Sequence, residues 1–570
     1  MTTLLALLLS AFTVIQNGAQ KIRKEFTFDN LEPAIVAAEP IGDQHIVFKD
    51  AAGVPVKYYH TVTDSWCDAE KMQPKAHFTP LAWTVVAVYF LIIVVMGWYF
   101  GHREKDSASF FKGGGKIPWY VAGVSIFATM LSSVTFLAVP ALSYISDSRL
   151  LQNIIVGYIV VTPLAVFFYM PVFRRMNLTS AYEYLERRFN VGTRLFSSGV
   201  FIVFMVLRVA IVTLLPAIAI DAVTGMGIDL AIALCGVVTI LYCTFGGLEA
   251  VIWSDFIQGI VLIGGAVAIL VFLVQGTDGG WTGYLSLAGA AGKLRVFDFS
   301  PEITNLTFWV AGTLGITQCL FSYTSDQCVV QRYISVKDEK AAARSMWTNC
   351  ALGILVAALF FLIGAALWTH YKCHPEMLDP NLPRPDAILP HFMGMELPPV
   401  VAGLVIAAVF AATISTLSAN LSAASSAITT DFFARFKTSL TDRGRVRIGQ
   451  WCVVICGIIG TAAAFLLAHM DLRSLCELFQ EAISTVTAGV AGVFFLGVFT
   501  KRVGGFAALS GLVVNYVVCF GLKAAISTST SLSTSLPTFI AHIHPFMVGG
   551  FGLVSCILTA LVLSLFFPKR

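Results

Sequence analysis

The chain has 570 residues, 57% of them hydrophobic and only 12% charged, where an ordinary globular domain carries roughly a quarter charged. That supply of polar groups is too small to coat a water-soluble protein of this length. The 37 basic and 33 acidic residues give a net charge of +4, too balanced for a nucleic-acid binder.

Residues 2–16, TTLLALLLSAFTVIQ, are short for a membrane span and suit a signal-peptide core or a short uncleaved anchor. Residues 17–79 show little periodicity and read as a small extracytoplasmic segment. Residues 80–570 read as an all-α transmembrane domain. Apolar runs long enough to cross hydrocarbon as helices lie near 81–100, 118–145, 152–173, 195–220, 228–246, 250–275 and 306–331. Six more lie near 346–369, 398–430, 448–469, 474–499, 504–523 and 542–567, giving thirteen.

Polar groups at bilayer depth are costly unless they are paired or used, so the exceptions within these spans carry the information. In Phe111–Pro140, a Gly triplet and Pro118 precede Ser132, Ser133 and Thr135 at mid-span. These hydroxyls either return hydrogen bonds to the preceding turn or mark a broken helix whose freed carbonyls face an ion or solute. Arg208 falls inside the fourth span. Its fork of donors suits a carboxylate, either on a solute or on Asp255. Asp255, in GGLEAVIWSDFIQG, stands about nine residues past a Gly pair, so roughly 13 Å into its helix. It needs a cation, a proton or an internal Arg. In FAATISTLSANLSAASS, Ala412, Ser415, Thr416 and Ala419 share one helical face, with Ser418 beside them. Small residues at this spacing mean close packing, but the hydroxyls also form an oxygen-only set suited to sodium.

Basic residues in the loops set the orientation. Alternate loops hold 22 and 7 Lys and Arg, and the richer set includes Arg174, Arg194, Arg332, Lys337 and Lys569. The C-terminus is therefore expected in the cytoplasm and residues 17–79 outside. Of the 12 cysteines, only Cys67 and Cys373 fall on the oxidising side, where a bridge and two free thiols are both compatible with the sequence. No spacing suggests a metal centre or a nucleophile–base pair, so the chain is not expected to be an enzyme. The tract Ser527–Ser535 reads as an outside loop.

From about residue 81 to 567 the chain resembles the sodium:solute symporter family, and within it the bacterial sodium-coupled sialic acid transporters. The stretches that carry the likeness are GGGKIPWYVAGVSIFAT, LTSAYEYLERRF, GGLEAVIWSDFIQG, VVQRYI and AGLVIAAVFAA. The resemblance implies a LeuT-type fold, with one helix followed by two inverted five-helix units starting near 118 and 306, then two more helices. The first helix of each unit would be discontinuous, at Ser132-Ser133 and within Gln318–Gln331. It implies a sodium site from the carbonyls of Ala128, Leu131 and Ala412 and the hydroxyls of Ser415 and Thr416. A second sodium site would draw on Asp255, Ser415 and Ser418, with Ala419 replacing a hydroxyl residue. Arg208 matches the arginine that holds the solute carboxylate, and Ser132, Ser133 and Thr135 match pocket hydroxyls. Met130 and Ile155 stand where relatives carry Thr and Gln.

The expected function is sodium-driven uptake of sialic acid or a related sugar acid by alternating access, in a bacterial inner membrane. Na+ is the coupling ion, and the partners are a carboxylate-bearing solute and membrane lipid, with no nucleic acid. A neutral-sugar symporter with a structural Arg208 is the alternative. A membrane sensor is disfavoured because the chain ends soon after the last span, and a channel because charged rings are missing.

Overall fold

The computed structural model describes residues 37–567 apart from 42–43, 51, 72–78, 102–110, 112, 177, 381, 383–384, 438, 471–474 and 532–542. The expected leader at 1–16 and the basic residues Arg103 and Lys105 lie outside the described residues.

Within the bilayer every backbone N–H and C=O must bond internally, which leaves helices as the elements available to these apolar runs. The helices are α1 (Pro80–Gly101), α2 (Trp119–Met130), α3 (Ser133–Ile145), α4 (Leu151–Leu164), α5 (Val191–Thr224) and α6 (Ile228–Gln275). After a short α7 (Gly280–Ala290) come α8 (Phe308–Thr324), α9 (Gln327–Ile334), α10 (Glu339–Cys373), α11 (Pro399–Ala427) and α12 (Asp442–Ala468). Three more follow: α13 (Leu475–Phe499), α14 (Gly505–Ser531) and α15 (Val548–Phe566). Every predicted span has its helix or broken pair among the described residues. Side chains such as Trp451, Leu355, Phe506 and Leu565 stand exposed on the outer helix faces, as lipid-facing residues do. The protein is a multi-pass membrane protein.

Three interruptions shape the bundle. The helices α2 and α3 form one span bent by 60°, because Leu131 and Ser132 are extended (ψ 104 and 170). A second break separates α8 from α9 at Ser325 and Asp326, where the Asp326 carboxylate caps α9 by accepting from Cys328 N at 2.8 Å. The third divides α6 at Gly247, whose φ of 51° and ψ of −173° belong to a region closed to residues with a Cβ. This splits α6 into the two predicted spans. Discontinuous helices therefore open both five-helix units, as expected, and the order of one, five, five and two spans is realised.

Residues 37–68 form an antiparallel meander, β1 (Ala37–Ile41), β2 (His45–Lys49), β3 (Pro55–His60) and β4 (Ser65–Asp68), with spatial order β1-β2-β3-β4. Its small core is Ile46, Phe48 and Tyr59 with Trp66 against them. The meander docks on the ends of α3 and α10. Tyr144 Oη bonds His60 Nε2 at 3.2 Å, Trp368 Nε1 donates to Val62 O at 3.0 Å, and Lys372 Nζ donates to Asp64 O at 2.6 Å. Beside this contact Lys293 Nζ donates to the last carbonyls of α3, those of Tyr144, Ile145 and Ser146, at 2.6–3.2 Å.

Cys67 and Cys373 are not bridged to each other, which is one of the two arrangements the sequence left open. One expectation is corrected. The tract Ser527–Ser535 is not wholly a loop, since α14 runs on to Ser531; its remaining residues lie outside the described ones.

Candidate functional site

The end of α2 leaves carbonyls with no partner further along the helix, at the negative end of its dipole. The hydroxyl face of α11 meets them. Ser415 Oγ donates to Ala128 O at 2.9 Å and approaches Ala412 O at 3.3 Å. Thr416 Oγ1 stands 3.1 Å from Ala412 O, 3.3 Å from Thr129 O and 3.4 Å from Leu131 O. All five residues expected to hold sodium are thus brought together, and Thr129 adds a carbonyl that sequence reasoning passed over. Ser415, Thr416, Ala412 and Ala128 are fully buried. Six neutral oxygens at the end of a helix dipole suit a small monovalent cation, and no carboxylate is among them.

On the other side of the same break lies a cavity. Its wall includes Thr129, Met130, Leu131 and Thr135 from the broken span, Asn153 and Tyr158 from α4, and Arg208 from α5. Gln318 and Ser322 of α8 and Asp326 at the second break complete its polar lining. Of the expected solute-binding residues, Arg208 and Thr135 line this cavity, whereas Ser132 and Ser133 do not. Ser132 initiates α3, and Ser133 Oγ turns away to Val212 O at 3.0 Å. A spacing of three hydroxyls in four positions spreads them round a helix, so only one faces the cavity.

Arg208 does not pair with Asp255. Its NH1 lies 3.5 Å from Asp326 Oδ2, while its Nε has no partner among the described residues. Asp255 is held instead by Arg332, whose NH2 donates to Oδ2 at 2.8 Å, with Ser125 Oγ at 2.7 Å and Thr129 Oγ1 at 3.4 Å. Both members of the Asp255–Arg332 pair are 0% exposed. Arg332, counted among the loop charges, is therefore inside the bundle and does not contribute to orientation. The other carboxylate oxygen, Asp255 Oδ1, has no partner among the described residues. Ser418 Oγ donates to Ser415 O at 3.1 Å; of the expected second sodium site, Ser415 and Ser418 are joined to each other, while the bonds of Asp255 go to Arg332, Ser125 and Thr129. Sequence reasoning noted Asn153 only as a polar neighbour of Ile155, and it missed Asp326. Asp326 had a signal, an acid inside the polar run of the second broken span.

The sodium:solute symporter family model matches residues 110–515, which leaves the meander outside it. The chain is 36% identical over 451 residues to the sodium/sialic acid symporter SiaT of Proteus mirabilis, covering 77% of this chain and 89% of that one. It is also 36% identical over 449 residues to the sodium/sialic acid symporter NanT of Aliivibrio fischeri, covering 79% and 88%. The human sodium-coupled monocarboxylate transporter 2 is 30% identical over 456 residues, covering 78% and 72%. Among solved structures, the substrate-bound outward-open state of a Na+-coupled sialic acid symporter superposes with a TM-score of 0.78 at 32% identity, covering 86% of this chain and 99% of that one. The nucleobase-cation-symport-1 family transporter Mhp1 in its closed conformation gives 0.53 at 16% identity, covering 81% and 95%, a likeness of fold alone. The fold is LeuT-type.

Proposed function

We infer the function from one premise: the chain belongs to the sodium:solute symporter family. It is a transporter and not an enzyme, and it couples sodium entry to the uptake of sialic acid or a related sugar acid. The relatives named for sodium and sialic acid, which match over most of their own length, support that cargo. The observation that carries the reading in this chain is the shared break. Leu131 and Thr129 contribute carbonyls to the oxygen cluster and also form part of the cavity wall that holds Arg208.

A sodium ion bound by Ala128 O, Leu131 O, Ala412 O, Ser415 Oγ and Thr416 Oγ1 favours one geometry of the broken helix. That geometry shapes the cavity, so ion and solute each strengthen the other's binding by the same factor. Arg208, with an unsatisfied Nε and only a long contact to Asp326, takes the solute carboxylate. Thr135 offers a hydroxyl. A second sodium site would use the open Oδ1 of Asp255 with Ser415 and Ser418. Each sodium ion crossing 100 mV supplies about 2.3 kcal/mol, a roughly 40-fold solute gradient at 1.4 kcal/mol per tenfold.

The distribution of basic loop residues supports a cytoplasmic C-terminus with residues 17–79, and so the meander, outside, and the bacterial relatives support a bacterial inner membrane. One observation favours a second reading: Asp326 already balances the charge of Arg208, which would suit a neutral sugar.

Uptake into proteoliposomes under an imposed sodium gradient, with a panel of sugar acids and neutral sugars, tests both. Sodium-dependent accumulation of sialic acid is expected. Accumulation of neutral sugars only would replace the cargo, and no sodium dependence for any solute would end the symporter reading.

A further inference from the structure

The cavity contains a polar group that none of the expected solute contacts uses. Asn153 lines it from the first turn of α4, is 4% exposed, and its Oδ1 has no hydrogen-bond partner among the described residues. The neighbouring Gln152 is committed elsewhere, donating to Arg149 O at 2.9 Å and accepting from Asp298 N at 3.3 Å. Ile155, two residues further on, is half-buried among apolar side chains and forms no part of the cavity wall. Asn153 is also held in place. A Cβ on Gly315 of α8 would stand 1.9 Å from Asn153 O, so the two backbones touch and the Asn153 backbone has no room to shift away from α8. Nearby, the Met130 sulfur receives Tyr158 Oη at 4.0 Å and Asn349 Nδ2 at 3.8 Å.

We propose that Asn153 is a specificity-determining residue of the transport site, its amide oxygen accepting from a hydroxyl or amide N–H of the solute whose carboxylate is held by Arg208. This rests on the sugar-acid reading above. A buried acceptor without a partner is costly, and a solute that brings a donor to it removes that cost. A solute lacking the donor leaves the oxygen unpaired, which is how buried polar sites discriminate more sharply than apolar ones. The cavity thus selects an acid that also carries a donor at a fixed separation from its carboxylate, and it rejects simple monocarboxylates.

The test uses the full chain in proteoliposomes under a sodium gradient, with sialic acid and its single-deoxy and des-amide analogues. Asn153→Ala is expected to raise KM for sialic acid about 10- to 100-fold while Vmax stays within a few-fold. One analogue should show the same loss on the unaltered protein and no further loss on the variant, which identifies the group that Asn153 receives. Equal, additive penalties for every analogue, or an unchanged KM, would overturn the role of Asn153 while leaving sialic acid transport standing. Failure of the unaltered protein to accumulate any sugar acid would overturn the functional reading and this inference with it. Sodium-induced thermal stabilisation reports folding of the variant, and Asn153→Ser replaces it where the alanine variant does not fold.

Discussion

The short helix α9 has a buried charge at each end, and the two are held differently. At its start Asp326 caps the helix and faces Arg208 at 3.5 Å, on the wall of a cavity, with Arg208 Nε unpaired. At its end Arg332 meets Asp255 at 2.8 Å, away from the cavity, and also bonds Ser125 Oγ at 2.7 Å and Cys328 O at 2.5 Å. The same residue types thus make a closed pair that ties α9 to α6, its arginine bonded at all three nitrogens, and an open pair whose arginine keeps capacity for a third group. Removing one member of a fully buried pair leaves an uncompensated charge, whereas an open pair beside a cavity loses mainly its ligand.

The largest effect should therefore fall on the closed pair. Arg332→Ala is expected to cost about 3–5 kcal/mol of stability, measured as thermal unfolding in detergent. Neutralising the stranded acid as well, with Asp255→Asn, should recover part of that loss. If the single variant melts like the unaltered protein, the closed pair is not structural. Arg208→Ala should shift the melting temperature less, yet lower kcat/KM for a sugar acid about 100-fold, the loss expected when a desolvated charged contact is removed. Undiminished uptake of the acid would reverse the comparison and move the solute site away from α5.

A third kind of buried ionisable group is held neutral, with no ion pair among the described residues. His45 of β2 is 4% exposed, and burial lowers its pKa from 6.5 to about 4, against a smaller opposing effect of Asp379. Folding thus disfavours the charged ring. The stability this group contributes is complete above pH 6.5 and is lost as the pH falls towards 4, reaching about 2 kcal/mol at pH 5. His60, packed 4.6 Å from His45 and bonded to Tyr144, shifts in the same direction. Protection factors for hydrogen exchange of residues 44–68, taken relative to the intrinsic rate at each pH, should fall between pH 7 and pH 5, and His45→Asn should flatten that response. Equal protection at both pH values would refute it.

Much of this was legible in the sequence. Runs of apolar residues located the thirteen spans because lipid demands them, and the Gly pair and serines marked where backbone groups had to be released. Arg208 and Asp255 stood out because charge is rare at bilayer depth. Their partners did not. Arg332 follows a polar run and looks like one more loop charge until α9 turns it back into the bundle, and Asp326 is paired across 118 positions of sequence. Nor could spacing tell which of Ser132, Ser133 and Thr135 faces the cavity, since that depends on how the broken helix is rotated. The meander escaped because its strands of four to six residues alternate too briefly to rise above a weakly patterned segment.

The oxygen cluster between α2 and α11 contrasts with both pairs, having no charge at all, and it should give the smallest effect. Thr416 Oγ1 contacts Ala412 O, Thr129 O and Leu131 O together, so Thr416→Ala removes one oxygen of the cluster and leaves its three carbonyls facing one another. The buried hydroxyl is lost without any charge being stranded, so folding should survive. The sodium concentration for half-maximal uptake should rise about tenfold, which is 1.4 kcal/mol and within the range for one lost polar contact. Thr416→Ser keeps the oxygen and should restore the sodium response, separating ligation from the packing of the methyl group. An unchanged sodium dependence in Thr416→Ala would place the coupling ion elsewhere, with the open oxygen of Asp255 as the next position to test.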